Sequence, residues 1–246
     1  MMQSIIEHII YDSSYFHLYL LVFAYFLFLY FVLSRLFLLA CHFLEKKGLV
    51  NKIVKKDVDK KQIRKEIKHS LLSIFIFGFS GMPIIYLIRN GAINILEDNF
   101  LNVLIGVTLL SFWNEIHFFI VHRIMHLPFF MKKVHYIHHQ SRIPTVYSVY
   151  SFHWLEAFLL STVPLTIIPF IPVAPLVLVF YPLASILLNF AGHCNYRFGK
   201  SEGASWKLFA THHNEHHFKF SQNYGFASNL LDKLNVWFMI NILNKK

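Results

Sequence analysis

The sequence predicts an all-α integral membrane protein of about four transmembrane helices, with a cytosolic helical cap holding a histidine-rich site for two metal ions. Three observations predict this class. Of 246 residues, 56% are hydrophobic, 17% aromatic and only 15% charged, with a mean hydropathy of +0.48, which excludes disorder and argues against a soluble domain. The 23 Lys and Arg outnumber the 13 Asp and Glu, and in a membrane chain the placement of cations sets topology. Twelve of the 16 His lie between His117 and His217, and neutral imidazole is the commonest metal ligand. Two cysteines, Cys41 and Cys194, are too few for a disulfide framework or a thiolate zinc site.

Residues 15–34 carry no charge, and roughly 20 such residues cross a hydrocarbon core about 30 Å thick. This amino-terminal span, within residues 1–45, is expected to stay as an anchor. Glu7 and Asp12 precede it with no Lys or Arg before Arg35, and its apolar run is too long for a cleaved signal. Residues 46–68 then hold ten Lys or Arg against three Asp or Glu, so 46–69 reads as a basic cytoplasmic loop, partly helical, lying on anionic headgroups. Nucleic-acid binding is the weaker reading of this run, and no nucleic-acid partner is expected.

Residues 70–121 supply the second and third spans: 70–88 return through the membrane, 89–99 form a short outer loop, and 100–121 come back to the histidines. Residues 155–190 are apolar apart from Glu156 and broken by Pro164, Pro169, Pro172, Pro175 and Pro182. Proline removes a backbone donor and kinks helices, so a helical hairpin turning near 169 to 175 is expected. With the amino terminus outside, Arg89 is the sole cation on the outer side, and the histidine site faces the cytoplasm. A bacterial inner membrane and the endoplasmic reticulum obey this charge rule alike. No internal repeat, linker or second domain is evident, so 1–246 is read as one unit.

His122 and His126 stand four apart on a continuation of the third span, hence on one helix face. His135, His138 and His139 repeat the spacing of His213, His216 and His217. In such a box the first His pairs with one later His while the neighbour diverges by about 100°, so adjacent ligands can serve two metals. His193 closes the second arm of the hairpin and approaches from the membrane side. These nine imidazoles are too many for one ion and suit two, at four or five each. Many imidazoles beside a bilayer point to iron, which binds and activates O₂, rather than zinc, which closes at three or four ligands. Glu115 and Glu156 are expected to orient ligand imidazole N–H groups.

At these residues the chain resembles the fatty acid hydroxylase and sterol desaturase superfamily of membrane di-iron enzymes. The resemblance covers 112–234 and rests on the order HxxxH, HxxHH, a lone His after a hydrophobic hairpin, and HxxHH again. Further matching pieces are His138-His139-Gln140-Ser141, Ser151-Phe152-His153-Trp154-Leu155-Glu156, and Asn223-Tyr224-Gly225 with Asp232 behind. It implies two irons held by the nine histidines, with O₂-dependent hydroxylation or desaturation of a fatty acyl, sterol or related lipid, and electrons from a separate donor protein. His153 and His212 match positions expected near the centre without binding as strongly. The chain has Trp154 where family members often have Pro, and Arg197 where the fatty acid hydroxylase branch has a further His. The second departure suggests a ninefold set, completed by water or Asn195. An apolar slot is expected in the region of Phe112, Phe118, Phe119, Tyr147, Tyr150 and Trp154. Two rivals remain. One is a zinc hydrolase on the HxxEH pattern of His212, Glu215 and His216; the other is a non-catalytic metal-binding or transport protein.

Overall fold

The computed structural model describes residues 2–198 and 209–241. A short helix, α1 (Met2–Asp12), precedes α2 (Tyr15–Lys46), whose first turn is capped by Ser14, the hydroxyl accepting from the His17 amide. α2 passes through a π turn at Leu29–Leu33 without breaking. α3 (Lys60–Arg89) begins inside the basic stretch because Asp59 accepts from the Lys61 amide there, and α4 (Phe100–Met125) is capped in the same way by Asn99. These three helices are long and apolar enough to cross a membrane.

Each helix outruns its expected span, since apolar composition marks where lipid begins and ends while caps mark where the backbone stops. α2 continues to Lys46 rather than ending near residue 34, and α3 starts ten residues before its apolar run. α4 continues past residue 121, so His122 sits on it and His126 is its C-terminal cap.

The expected hairpin is present but unequal. Its outward arm is the short α5 (Trp154–Ser161), followed by 3-10 turns at Pro164–Thr166 and Ile168–Phe170; its return arm is α6 (Val177–His193). At 17 residues α6 is the shortest of the apolar helices that could reach across a membrane, beside the three longer ones. The turn is tied to the loop after α3: the Leu96 amide donates to the Val173 carbonyl, the Val173 amide to that of Asn94, and the Leu176 amide to Asp98 at 2.9 Å. The hairpin therefore reaches the level of the α3–α4 loop before it returns.

Arg89 fixes that end of the molecule. Its guanidinium donates to the carbonyls of Ile10 and Ser13 and lies over the Tyr15 ring, which locks α1 against the tip of α3. At the opposite end the all-helical expectation needs one amendment, because β1 (Val50–Lys52) pairs antiparallel with β2 (Tyr196–Phe198). Asn195 makes the corner in the left-handed region at φ 58°, a conformation that Asn tolerates better than most residues. This ribbon joins the end of α2 to the end of α6.

α4 packs on α6 through Gly106, where a Cβ would come within 2.5 Å of Val177. Overpacking of this kind costs about 1–3 kcal/mol. Gly106→Leu is therefore expected to lower the thermal unfolding midpoint of the purified chain by several degrees, as read by loss of monodisperse protein on heating.

Candidate metal centre

Five chain segments meet at the ribbon end of the bundle. α4 contributes His122 and, at its cap, His126. Residues 128–139 form a short helical run with a π turn at Met131–His135, which brings His135, His138 and His139 inward. α6 ends on His193, and α7 (Phe209–Lys219) carries His213, His216 and His217. A last helix, α8 (Leu230–Asn241), follows the loop that closes the site.

The nine histidines fall into two groups. His122, His126, His135, His139 and His216 bring one ring nitrogen each within 4.8 Å of one another, and His138, His193, His213 and His217 do the same. Each HxxHH box is thereby divided. His135 and His139 face one group and His138 the other, whereas His213 and His217 face the second group and His216 the first. Eight of the nine are buried, and His126 is partly exposed.

The tautomers decide what these groups can hold. Carbonyl and carboxylate oxygens only accept, so a ring nitrogen facing one must donate. The Nδ1–H of His122 donates to the Tyr224 carbonyl at 2.8 Å, that of His135 to Glu156 at 2.8 Å, and that of His216 to the Gln222 carbonyl at 2.7 Å. In the second group His193 donates from Nδ1 to the Asn189 carbonyl at 3.0 Å. With Nδ1 carrying the proton, the Nε2 atoms of these rings are left to act as lone-pair donors, and they point inward. His126 and His216 approach Nε2 to Nε2 at 3.2 Å, His135 and His139 at 3.1 Å, and His193 and His213 at 2.9 Å. The buried Nε2 of His122 has no partner at all. Converging lone pairs in a dry space are costly unless a positive charge sits among them, so the donor set fits a metal cation in each group.

Burial first, and the neighbouring imidazoles second, push His126 down to about 2. Burial also lowers His216 to about 3, against the opposing pull of its bond to Gln222. His138, His213 and His217 are pushed well below the usual imidazole range for the same leading reason. These five imidazoles are thus neutral bases at neutral pH.

Among the flanking residues, Glu156 accepts from His135 and is itself buried. Glu115 does not orient an imidazole. Its carboxylate accepts from the amides of Phe226, Ala227 and Ser228 and from the Ser228 hydroxyl, and so clasps the loop after the last box. Asn195 is not available to complete the set, because its side chain bonds the Val54 amide and carbonyl and accepts from Asn214. His153 caps α5 by accepting from the Leu155 amide, and His212 pairs with Asn229; neither belongs to a group. Glu215 lies beside Lys219 and Gln222 and is 43% exposed, so the HxxEH pattern does not aim its carboxylate into the centre. Sequence reading missed the carbonyls of Asn189, Gln222 and Tyr224, since a backbone acceptor has no side-chain signature. The trace it could have used is Asp232, which holds the Tyr224 and Gly225 amides at 2.9 Å each. At Gly225 a Cβ would meet the Ser228 carbonyl at 1.9 Å, so only glycine fits this clasp.

Besides a pocket at His213, Gly225 and Asp232, two cavities adjoin the centre. One, of about 1020 Å³, lies between the long helices and is lined by Phe118, Phe152 and Phe226 where it nears the histidines. Phe118 lies 4.9 Å from the His122 ring and Phe152 4.9 Å from the His138 ring, so this cavity abuts both groups. Of the aromatics expected to form the slot, Phe118 and Tyr150 line it, while Phe112 and Trp154 are more than half exposed on the outside. The other cavity, of about 1220 Å³, is polar and has His139 in its wall, with Lys61, Lys65 and Arg142 also lining it.

Comparison with known proteins came to the same stretch of chain. The family model described as fatty acid hydroxylase matches residues 107–235. Lathosterol oxidase of Homo sapiens is 26% identical over 184 residues, covering 71% of this chain and 60% of that protein. A probable Delta(7)-sterol 5(6)-desaturase of Neurospora crassa is 32% identical over 117 residues, 46% of this chain and 32% of its own. Fatty acid hydroxylase domain-containing protein 2 of Homo sapiens is 29% identical over 135 residues, 54% of this chain and 38% of its own. The chain thus spans about 60% of the length of the lathosterol oxidases it matches. No solved structure matches it.

The lowered imidazole pKa values carry a pH dependence with a definite sign. An unfolded histidine titrates near about 6.5 and binds protons that the buried ones refuse, so stability of the metal-free chain rises with pH. Unfolding of chelator-treated protein is expected to become easier as pH falls from about 6.5 towards the values of His216 and His126. Thermal scans between pH 8 and pH 5 would read this, and equal midpoints across that range would contradict it.

Proposed function

The chain belongs to the fatty acid hydroxylase family, and from that premise we propose that it is a membrane-bound oxidoreductase that uses two irons and O₂ to hydroxylate or desaturate a lipid. The observation that carries this reading is the abutment of two buried imidazole groups on an uncharged cavity of about 1020 Å³. His122, His126, His135, His139 and His216 would hold one iron, and His138, His193, His213 and His217 the other. Bound iron supplies the activation of O₂ and the removal of hydrogen from an unactivated C–H bond.

The chain's own residues do the rest. Glu156 and the carbonyls of Tyr224, Gln222 and Asn189 hold the Nδ1 protons of four rings, and so keep their Nε2 atoms free for metal. Phe118, Phe152 and Phe226 form the wall between histidines and cavity, exclude water, and leave an apolar approach for a hydrocarbon segment. The relatives named as lathosterol oxidase and sterol desaturase support a lipid substrate. Electrons come from a separate protein. The polar cleft beside His139, lined by Asp59 and Glu66 as well as Lys61, Lys65 and Arg142, is the route we propose for them. The excess of Lys and Arg at the same end supports a cytoplasmic location for the centre.

Two observations weigh against the rivals. Glu215 is turned away from the histidines, which removes the general base that a zinc hydrolase would need. The imidazole groups lie at the end of the bundle next to a largely apolar cavity, not along a polar path through its middle as in a transporter.

Elemental analysis of the detergent-purified chain from iron-replete cells is expected to find about two irons per chain; one zinc, or no metal, would overturn the reading. His138→Ala and His216→Ala remove one donor from different groups, and each is expected to lower iron content and abolish turnover. Glu156→Gln keeps the volume but loses the carboxylate on His135, and is expected to weaken iron retention against a chelator by about 10–100-fold. Unchanged retention would assign Glu156 a packing role only.

A further inference from the structure

Twenty residues line the apolar cavity, and none is Asp, Glu, Lys, Arg or His. A carboxylate or ammonium placed there would be buried without a counter-charge, at a cost far above what apolar contact returns. Seven of the twenty are nonetheless polar. Most of these are satisfied internally: Ser80 donates to the Phe77 carbonyl, Ser161 to that of Phe158 and Asn189 to that of Val149, while Tyr181 pairs with Ser185.

Asn114 and Tyr150 are different. They are 6% and 7% exposed, and both line the cavity. Neither the amide nor the hydroxyl has a hydrogen-bond partner among the described residues. The Tyr150 ring is held by Phe77 at 5.0 Å and Tyr30 at 6.1 Å, so it cannot easily turn its hydroxyl elsewhere. An amide and a phenol that open onto a largely apolar cavity without a protein partner are best met by a ligand that both donates and accepts. A hydroxyl does both, a hydrocarbon does neither, and an ionised carboxylate only accepts.

Position adds a second constraint. Asn114, Phe118 and His122 stand at i, i+4 and i+8 on one face of α4. Asn114 is thus about 12 Å along the helix axis from His122. A group held at Asn114 leaves the histidine end of the cavity to a part of the same molecule roughly that far away.

We infer that the cavity selects an uncharged lipid alcohol, whose hydroxyl is held by Asn114 and Tyr150 while a distant hydrocarbon segment is presented beside Phe118 to the histidines. This deepens the reading of the chain as a lipid-oxidising enzyme and rests on it. Charged fatty acids and plain hydrocarbons are the classes it rejects.

The test uses the full chain as purified, with its metal, under argon so that nothing turns over. Tritiated cholesterol and tritiated hexadecanol serve as fused-ring and straight-chain alcohol probes, with unlabelled alcohol, palmitate and hexadecane as competitors. At least one alcohol is expected to bind at about one per chain and to be displaced by unlabelled alcohol but not by palmitate or hexadecane. Asn114→Leu and Tyr150→Phe, which keep side-chain volume, are each expected to weaken binding about tenfold with iron content unchanged. Binding of neither alcohol, equal competition by palmitate or hexadecane, or wild-type affinity in both variants would overturn the inference. If the chain holds two irons and shows any of these, the inference fails alone. A chain without iron that still selects the alcohol would instead sink the oxidative reading.

Discussion

Everything at the ribbon end of this protein depends on holding neutral imidazoles with their lone pairs turned inward. Four of the nine histidines are fixed by an acceptor behind the ring, and those acceptors come from separate places: Glu156 on α5, Asn189 on α6, and the Gln222 and Tyr224 carbonyls in the loop between α7 and α8. Were any ring to rotate, its N–H would enter the centre and its lone pair would lose its purpose. The loop after the last box is accordingly clamped twice, by Glu115 on the amides of 226–228 and by Asp232 on those of 224 and 225.

The long helices serve this arrangement by bringing their ends together. Arg89 locks α1 at one end of the bundle and the β1–β2 ribbon joins α2 to α6 at the other, so the segments bearing histidines have fixed starting points. The same helices leave a cavity between them whose inner end is the aromatic wall on the imidazoles. The uncharged cavity lies towards the bundle interior, whereas the polar cleft has His139 in its wall.

Much of this was legible in the sequence for reasons of period and composition. Uncharged runs of membrane length announced the long helices, and the cation bias marked the end where the histidines lie. The spacing of His135, His138 and His139, repeated at His213, His216 and His217, already implied that each box would be divided between two centres, because neighbours on a helix differ by about 100°. Glu156 was legible as a carboxylate near the boxes, and so was Glu115. Proximity in sequence could not say that one would face a ring and the other a loop.

What the sequence by itself determined was thus the class of protein, the polarity of its ends and the identity of the residues that gather there, since these follow from hydropathy, charge and helical spacing. The tertiary structure alone decided which histidine joins which group, which carbonyls orient them, and that Asn195 is spent on Val54 while Asn114 and Tyr150 stay open to the cavity. The reason is physical. A ring's partner, a backbone acceptor and the satisfaction of a buried amide are set by contacts between segments more than 100 residues apart, and no local pattern records them.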